Sequence, residues 1–165
     1  MRRGGDRVRR RRRPRHRMFP CVTLVYSLVA LLGPLHSTLH AQATVALRVQ
    51  VIYAANEPGD VDTRLGGLVA ELQRTFRYSK YELLDSPQGS PALNQSWQAG
   101  LPGDRRLEIT PTAMQGGQYS LTVRVLSPSG QAVVNTRVRL RSGATVLVGG
   151  PSHQKGVLII AITAS

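Results

Sequence analysis

The chain has 165 residues and a formal net charge of +13, from 22 Lys and Arg against 9 Asp and Glu. That length leaves room for one domain and not two. Residues 2–17 alone hold ten of the arginines and one acid, Asp6, so the basicity belongs to a tail and does not mark a nucleic-acid-binding domain.

The first forty-three residues read as an export address. Arg2–Arg17 are basic, Cys21–Leu32 form an apolar run, Gly33-Pro34 break it, and Ala41-Gln42-Ala43 is a small-residue cleavage site. This is the three-part order of a secretory signal peptide. As a helix the run spans about 18 Å, short of the roughly 30 Å hydrocarbon core. The expectation is a leader over residues 1–43, recognised through Ala41 and Ala43 and cleaved after Ala43, and a periplasmic or secreted domain. The alternative is an inner-membrane anchor over residues 21–40. Met18 is an alternative start.

Cleavage after Ala43 leaves residues 44–165, a single domain with no cysteine and one histidine, His153. An exported chain without cysteine is held by packing and not by disulfides. Thiol catalysis, iron–sulfur clusters, cysteine zinc sites and multi-histidine metal sites are excluded. No cofactor, no metal and no catalytic residue is expected.

The predicted elements follow in chain order. Thr44–Ala54 alternates, with Val45, Leu47, Val49, Val51 and Tyr53 on one face and Arg48 and Gln50 on the other, which predicts a strand. Asp62 caps a predicted helix over Thr63–Arg77, whose stripe is Leu65, Leu68, Val69, Leu72 and Phe76. Gly66-Gly67 weaken that helix. Strands are then predicted over Tyr78–Leu84, Leu93–Gln98, Arg105–Thr110, Gln118–Leu126, Ala132–Leu140, Ala144–Val148 and Val157–Thr163. Pro87 and Pro91 bracket a loop, and residues 149–156 form another.

A four-residue loop pairs Leu126 with Gln131. It places Tyr119, Leu121, Val123 and Val125 on one face with Ala132, Val134, Thr136 and Val138. The fold class is α+β: one amphipathic helix on a mostly antiparallel sheet of seven to eight strands. A small β-sandwich with one helix is the alternative.

Four arginines form the candidate binding site. Arg137, Arg139 and Arg141 alternate along one predicted strand, and Arg124 shares their face on its neighbour. Such a stripe suits an anionic surface. Nucleic acid is disfavoured because residues 44–165 offer few aromatics, Phe76, Trp97 and four Tyr, for base stacking. Ser152, His153 and Lys155 sit together in a predicted loop, and a hydrolase using His153 or carboxylates is a further alternative. Glu57, Asp60 and Asp62 precede the helix, where capping and solvation account for them better than calcium.

Thr136–Gly150 resembles the terminal hairpin of bacterial secretins, through Val138, Leu140, Gly143, Thr145, Val146, Val148, Gly149 and Gly150. Residues 157–163 resemble the apolar strand that follows it. The resemblance implies a place in the bacterial cell envelope. The reading is a small exported, non-enzymatic binding or assembly domain whose expected partner is another envelope protein. A membrane- or polyanion-binding protein is the alternative, and an uncleaved leader is its only expected route into a membrane.

Overall fold

The structure, a computed structural model, describes residues 43–165. The leader features named above, apart from Ala43, lie outside the described residues. Among the described residues nine strands and one α-helix follow one another: β1 (Leu47–Ala55), a 3-10 turn (Thr63–Leu65), α1 (Leu68–Thr75), β2 (Lys80–Asp85), β3 (Gln88–Gly89), β4 (Trp97–Leu101), β5 (Arg105–Gln115), β6 (Gln118–Leu126), β7 (Ala132–Arg141), β8 (Thr145–His153) and β9 (Gly156–Ala164). Among the described residues no helix is long and apolar enough to cross a membrane.

The strands are antiparallel, but they form two sheets and not one. The first runs β2-β1-β9-β8, with β3 beside β1; the second runs β4-β5-β6-β7. Two sheets are needed because both have an apolar face to bury. Val45, Leu47, Val49 and Val51 from the first sheet meet Leu107, Ile109, Leu121 and Val123 from the second in one core. This is the arrangement of a β-sandwich, with side chains from the two inner faces packed together.

The first sheet is also covered on its outer side. Ile52 and Ala54 of β1 and Ile159 and Ala161 of β9 pack with Leu65, Leu72 and Tyr81. Strand β9 is therefore apolar on both faces, which explains its unbroken run Val157–Ile162.

The expected helix over Thr63–Arg77 is shorter and divided. Gly66 adopts φ +51°, ψ −129°, which closes the 3-10 turn before α1 begins at Leu68. All five residues of the predicted stripe still point to the sheet, with Leu65 and Leu72 buried and Leu68, Val69 and Phe76 packed around them. At the far end of α1, the buried Tyr81 hydroxyl donates to the Phe76 carbonyl and meets the Leu72 carbonyl at 3.2 Å. Tyr81 thus adds a second donor to the last carbonyls of the helix, which also accept from the Phe76 and Tyr78 N–H groups.

Asp62 caps the 3-10 turn and also ties it to β2. Its carboxylate accepts from the Arg64 backbone N–H at 2.9 Å, Arg64 Nε at 3.0 Å and the Leu83 N–H at 3.2 Å. The Arg64 guanidinium first, then these N–H groups, hold the acid well below the usual carboxylate range. An unfolded Asp titrates near about 3.9. A folded value below that gives stability that is complete above the unfolded value and is lost as pH falls toward the folded one. Asp62→Asn should therefore lower the melting temperature at about pH 6, and the deficit relative to wild type should shrink toward about pH 2. A deficit that stays constant with pH would show that the carboxylate's charge is not what holds this turn.

Three other expectations are corrected. Residues 149–156 are mostly strand: β8 continues to His153 with a register break between Gly149 and Ser152, and the turn is only Gln154-Lys155. Gly150 explains the length of β8, since a Cβ there would lie 2.8 Å from the Leu158 carbonyl oxygen. Gln88–Gly89, expected as loop, pair with Arg48 and Leu47. Leu126 pairs with Ala132 and not Gln131, and a bulge follows, so Val123 faces Thr136 and Leu121 faces Val138. The apolar and polar faces of both strands are as the alternation implies. The partners are two residues further along because the turn and the bulge each add one. Residues 136–150 do not pair as a hairpin, because β7 and β8 belong to different sheets.

Candidate functional site

The outer face of the β4–β7 sheet has no second layer among the described residues. Burial of Leu107 and Ile109 on β5 and of Leu121, Val123 and Val125 on β6 turns the intervening residues outward. Strand β7 alternates in the same way, with Asn135, Arg137 and Arg139 exposed between partly buried neighbours. All four candidate arginines, Arg124, Arg137, Arg139 and Arg141, stand on this face.

They do not stand there equally. One cross-strand row runs Gln98, Glu108, Arg124, Asn135. Within it Arg124 Nη1 lies 2.9 Å from Glu108 Oε2, and Gln98 Nε2 donates to Glu108 Oε1 at 2.9 Å. Arg124 is therefore neutralised within the sheet. The remaining rows hold no acid: Arg137 faces Thr122, Arg139 faces Ser120, and Arg141 faces Gln118. Among the described residues the acids in ion pairs are Asp62, Glu71, Glu82 and Glu108, and none pairs with Arg137, Arg139 or Arg141.

Spacing and relief complete the site. Alternate residues on a strand stand about 7 Å apart, so these three guanidinium groups are rooted along about 14 Å. Two shallow depressions flank Arg139. One, of about 510 Å³, is lined by Thr112, Ala113, Ser120 and the Arg137–Arg139 segment. The other, of about 460 Å³, is lined by Ala113, Gln115, Gln118, Ser120 and Arg139. Small side chains at Ala113 and Ser120 create this floor. The bulge between Pro111 and Ala113 places Ala113 opposite Ser120.

The charge balance of the domain is concentrated here. The face carries Arg106, Arg124, Arg137, Arg139, Arg141 and one acid, Glu108. The rest of residues 44–165 has seven basic and seven acidic side chains. All four net positive charges of these residues therefore lie on one sheet face, which gives the domain a directed field.

Strand β6 and its alternation identify Arg124 from sequence, but the arginine stripe alone does not reveal the partner that cancels it. Glu108 between buried Leu107 and Ile109 was the available signal: alternation places it on the arginine face.

His153 lies on β8, on the other sheet. Its ring meets Tyr53 edge-on, with centroids 5.9 Å apart and planes at 87°. No described carboxylate lies within ion-pairing distance of it. Among the described residues no group of His, Cys, Asp and Glu is placed to hold a metal ion. Trp97 is partly buried against the core, with its indole over Gly89, and Tyr119 is buried within the core.

No family model matches the chain, and no curated protein or solved structure is significantly similar to it.

Proposed function

We propose that residues 44–165 form an exported, non-enzymatic binding domain of the bacterial cell envelope that uses the outer β4–β7 face to hold an acidic protein partner. The observation that carries this reading is the concentration of the domain's whole charge excess on that face, with Arg137, Arg139 and Arg141 in no ion pair among the described residues. Arg124 with Glu108 serves as a fixed, neutral border to the three. An extended row of unpaired guanidinium groups suits several carboxylates presented at intervals, since each group binds a carboxylate through parallel N–H bonds.

Export is the second part of the proposal. It is supported by the position of the A-x-A site immediately before the folded residues: Val45 is fully buried and its N–H donates to the Pro91 carbonyl at 2.9 Å. Protein isolated from cells should begin at Thr44. A start at Met1 or Met18 in the isolated protein would remove this part.

Immobilised poly-L-glutamate tests the binding face. The domain should be retained at low salt and released as salt screens the contact. The combined Arg137→Gln, Arg139→Gln, Arg141→Gln variant should lose retention by about tenfold or more while melting within a few degrees of wild type. Equal retention of variant and wild type would overturn the assignment of this face.

A further inference from the structure

The geometry points to the edge of β7, which pairs on its outer side with no strand among the described residues, as the place where an acidic segment of a partner protein adds itself as a fifth strand to the β4–β7 sheet. This inference rests on the binding face proposed above and says how that face is used.

The phase of the ladder shows which peptide groups are available. Gly116-Gly117, at φ +58° and +72°, form a two-residue turn that pairs Gln115 with Gln118. The Ser142 N–H donates to the Gly117 carbonyl at 2.8 Å, so pairing toward β6 falls on Ser142 and every second residue before it. Leu140, Val138, Thr136 and Val134 thus bond to β6. Asn135, Arg137 and Arg139 turn their N–H and C=O groups away from the sheet. Arg141 ends this edge, because its carbonyl accepts from the Ala144 N–H at 3.0 Å.

The other three edges are covered, broken or short. The loop at Asp62 covers β2: the Asp62 N–H donates to the Tyr81 carbonyl at 2.8 Å, and the Asp62 carboxylate takes the Leu83 N–H. Strand β8 is broken by Gly149-Gly150-Pro151 and a register shift. Strand β4 has five residues and ends at Leu101 before Pro102. Strand β7 has ten residues and no Pro or Gly within it. Past the bulge at Val133, the edge is regular from Val134 to Arg141; such an edge invites pairing, and charge on it decides with what.

That charge selects the occupant. Antiparallel pairing of β7 with a second copy, centred on Arg137 to Arg139 where the outward peptide groups lie, would set arginine opposite arginine, and like charges directly opposite are destabilising. A heterologous strand with Asp or Glu opposite Arg137 and Arg139 gains cross-strand ion pairs in place of that repulsion. Its alternate residues would extend the inner face beside Val134 and Val138, which are partly buried against the core. Val133, 48% exposed at the start of β7, offers an apolar contact at the other end. The fitting segment therefore alternates acidic and apolar residues and ends in an apolar one.

The probe is a short capped peptide in which Glu alternates with Val. It should bind and slow hydrogen exchange at the Arg137 and Arg139 amides. N-methylation of the peptide amides that bond to β7 should weaken it by about tenfold per blocked bond, and methylation of the intervening amides should not. Asn135→Pro should weaken the peptide similarly yet leave retention on poly-L-glutamate intact, since the arginines remain.

Equal binding by all methylated peptides, with no protection at Arg137 and Arg139, would overturn strand addition and leave the charged face standing. Loss of poly-L-glutamate retention in the domain itself would overturn both. A concentration-dependent dimer with those two amides protected before peptide is added would assign the edge to self-association. Binding to vesicles rich in anionic lipid, with none to the peptide, would assign the face to a membrane.

Discussion

Gly156→Ala should destabilise the domain by about 3 kcal/mol or more, lowering its melting temperature by roughly 10–15 °C. A Cβ at this position would lie 2.1 Å from the Ala54 carbonyl oxygen and 2.9 Å from Ala55 Cβ and the Tyr53 ring. The first of these atoms is backbone in the neighbouring strand β1, so relief requires β9 and β1 to separate where Ala54 pairs with Val157. Both strands are buried on two faces, and separation there disturbs the core and the helix layer together. Gly67→Ala is the matching control. Gly67 has φ −64° and ψ −13°, and a Cβ would meet open space. That substitution should leave stability unchanged or raise it by up to about 1 kcal/mol. Thermal melts of both variants decide the matter, and a Gly156→Ala protein melting with wild type would contradict the packing of β1 against the start of β9.

Leu72→Ala should cost about 2–5 kcal/mol, read from the urea midpoint. Leu72 is the one fully buried residue of α1, an eight-residue helix too short to persist by itself. Its loss opens a cavity between the helix and the outer side of the β1–β9 sheet, where Ile52, Tyr81 and Ile159 surround it. The arginine face lies on the other side of the sandwich. Retention on poly-L-glutamate should therefore stay within about twofold of wild type wherever the variant remains folded, because distant sites act independently. A parallel loss of retention would mean that the helix layer and the binding face are coupled.

Alternation made much of this fold readable. Strand β6 occupies Gln118–Leu126 as the sequence implies, and the facing residues of β7 fall on the expected sides. The reason is physical: one face of each strand is buried, so a one-residue slip would turn every valine outward. The helix stripe was readable for the same reason, through its recurrence at helical spacing. What alternation does not encode is the partition of strands between layers. Strands β7 and β8 are joined by a short turn of the kind that makes hairpins, yet Gly143 at φ +78° carries the chain from one sheet to the other. The extent of β8 was hidden because Gly149-Gly150-Pro151 has the composition of a loop. Close approach of the Leu158 backbone is what requires glycine at residue 150.

The candidate site was half readable. The spacing of Arg137, Arg139 and Arg141 is a property of one strand. The neutralisation of Arg124 by Glu108 depends on the β5–β6 register across sixteen residues. It changes the site from four equivalent cations to three free ones beside a paired fourth.

Reversing the charge of the three free arginines tests the central claim most directly. The combined Arg137→Glu, Arg139→Glu, Arg141→Glu variant and the wild-type domain would each be titrated with poly-L-glutamate and with poly-L-lysine at low salt. Wild type should bind the first and not the second, and the variant should bind the second and not the first, with both preferences fading as salt is added. Unchanged preference for poly-L-glutamate in a folded variant would contradict the claim that this face is where the protein meets its partner.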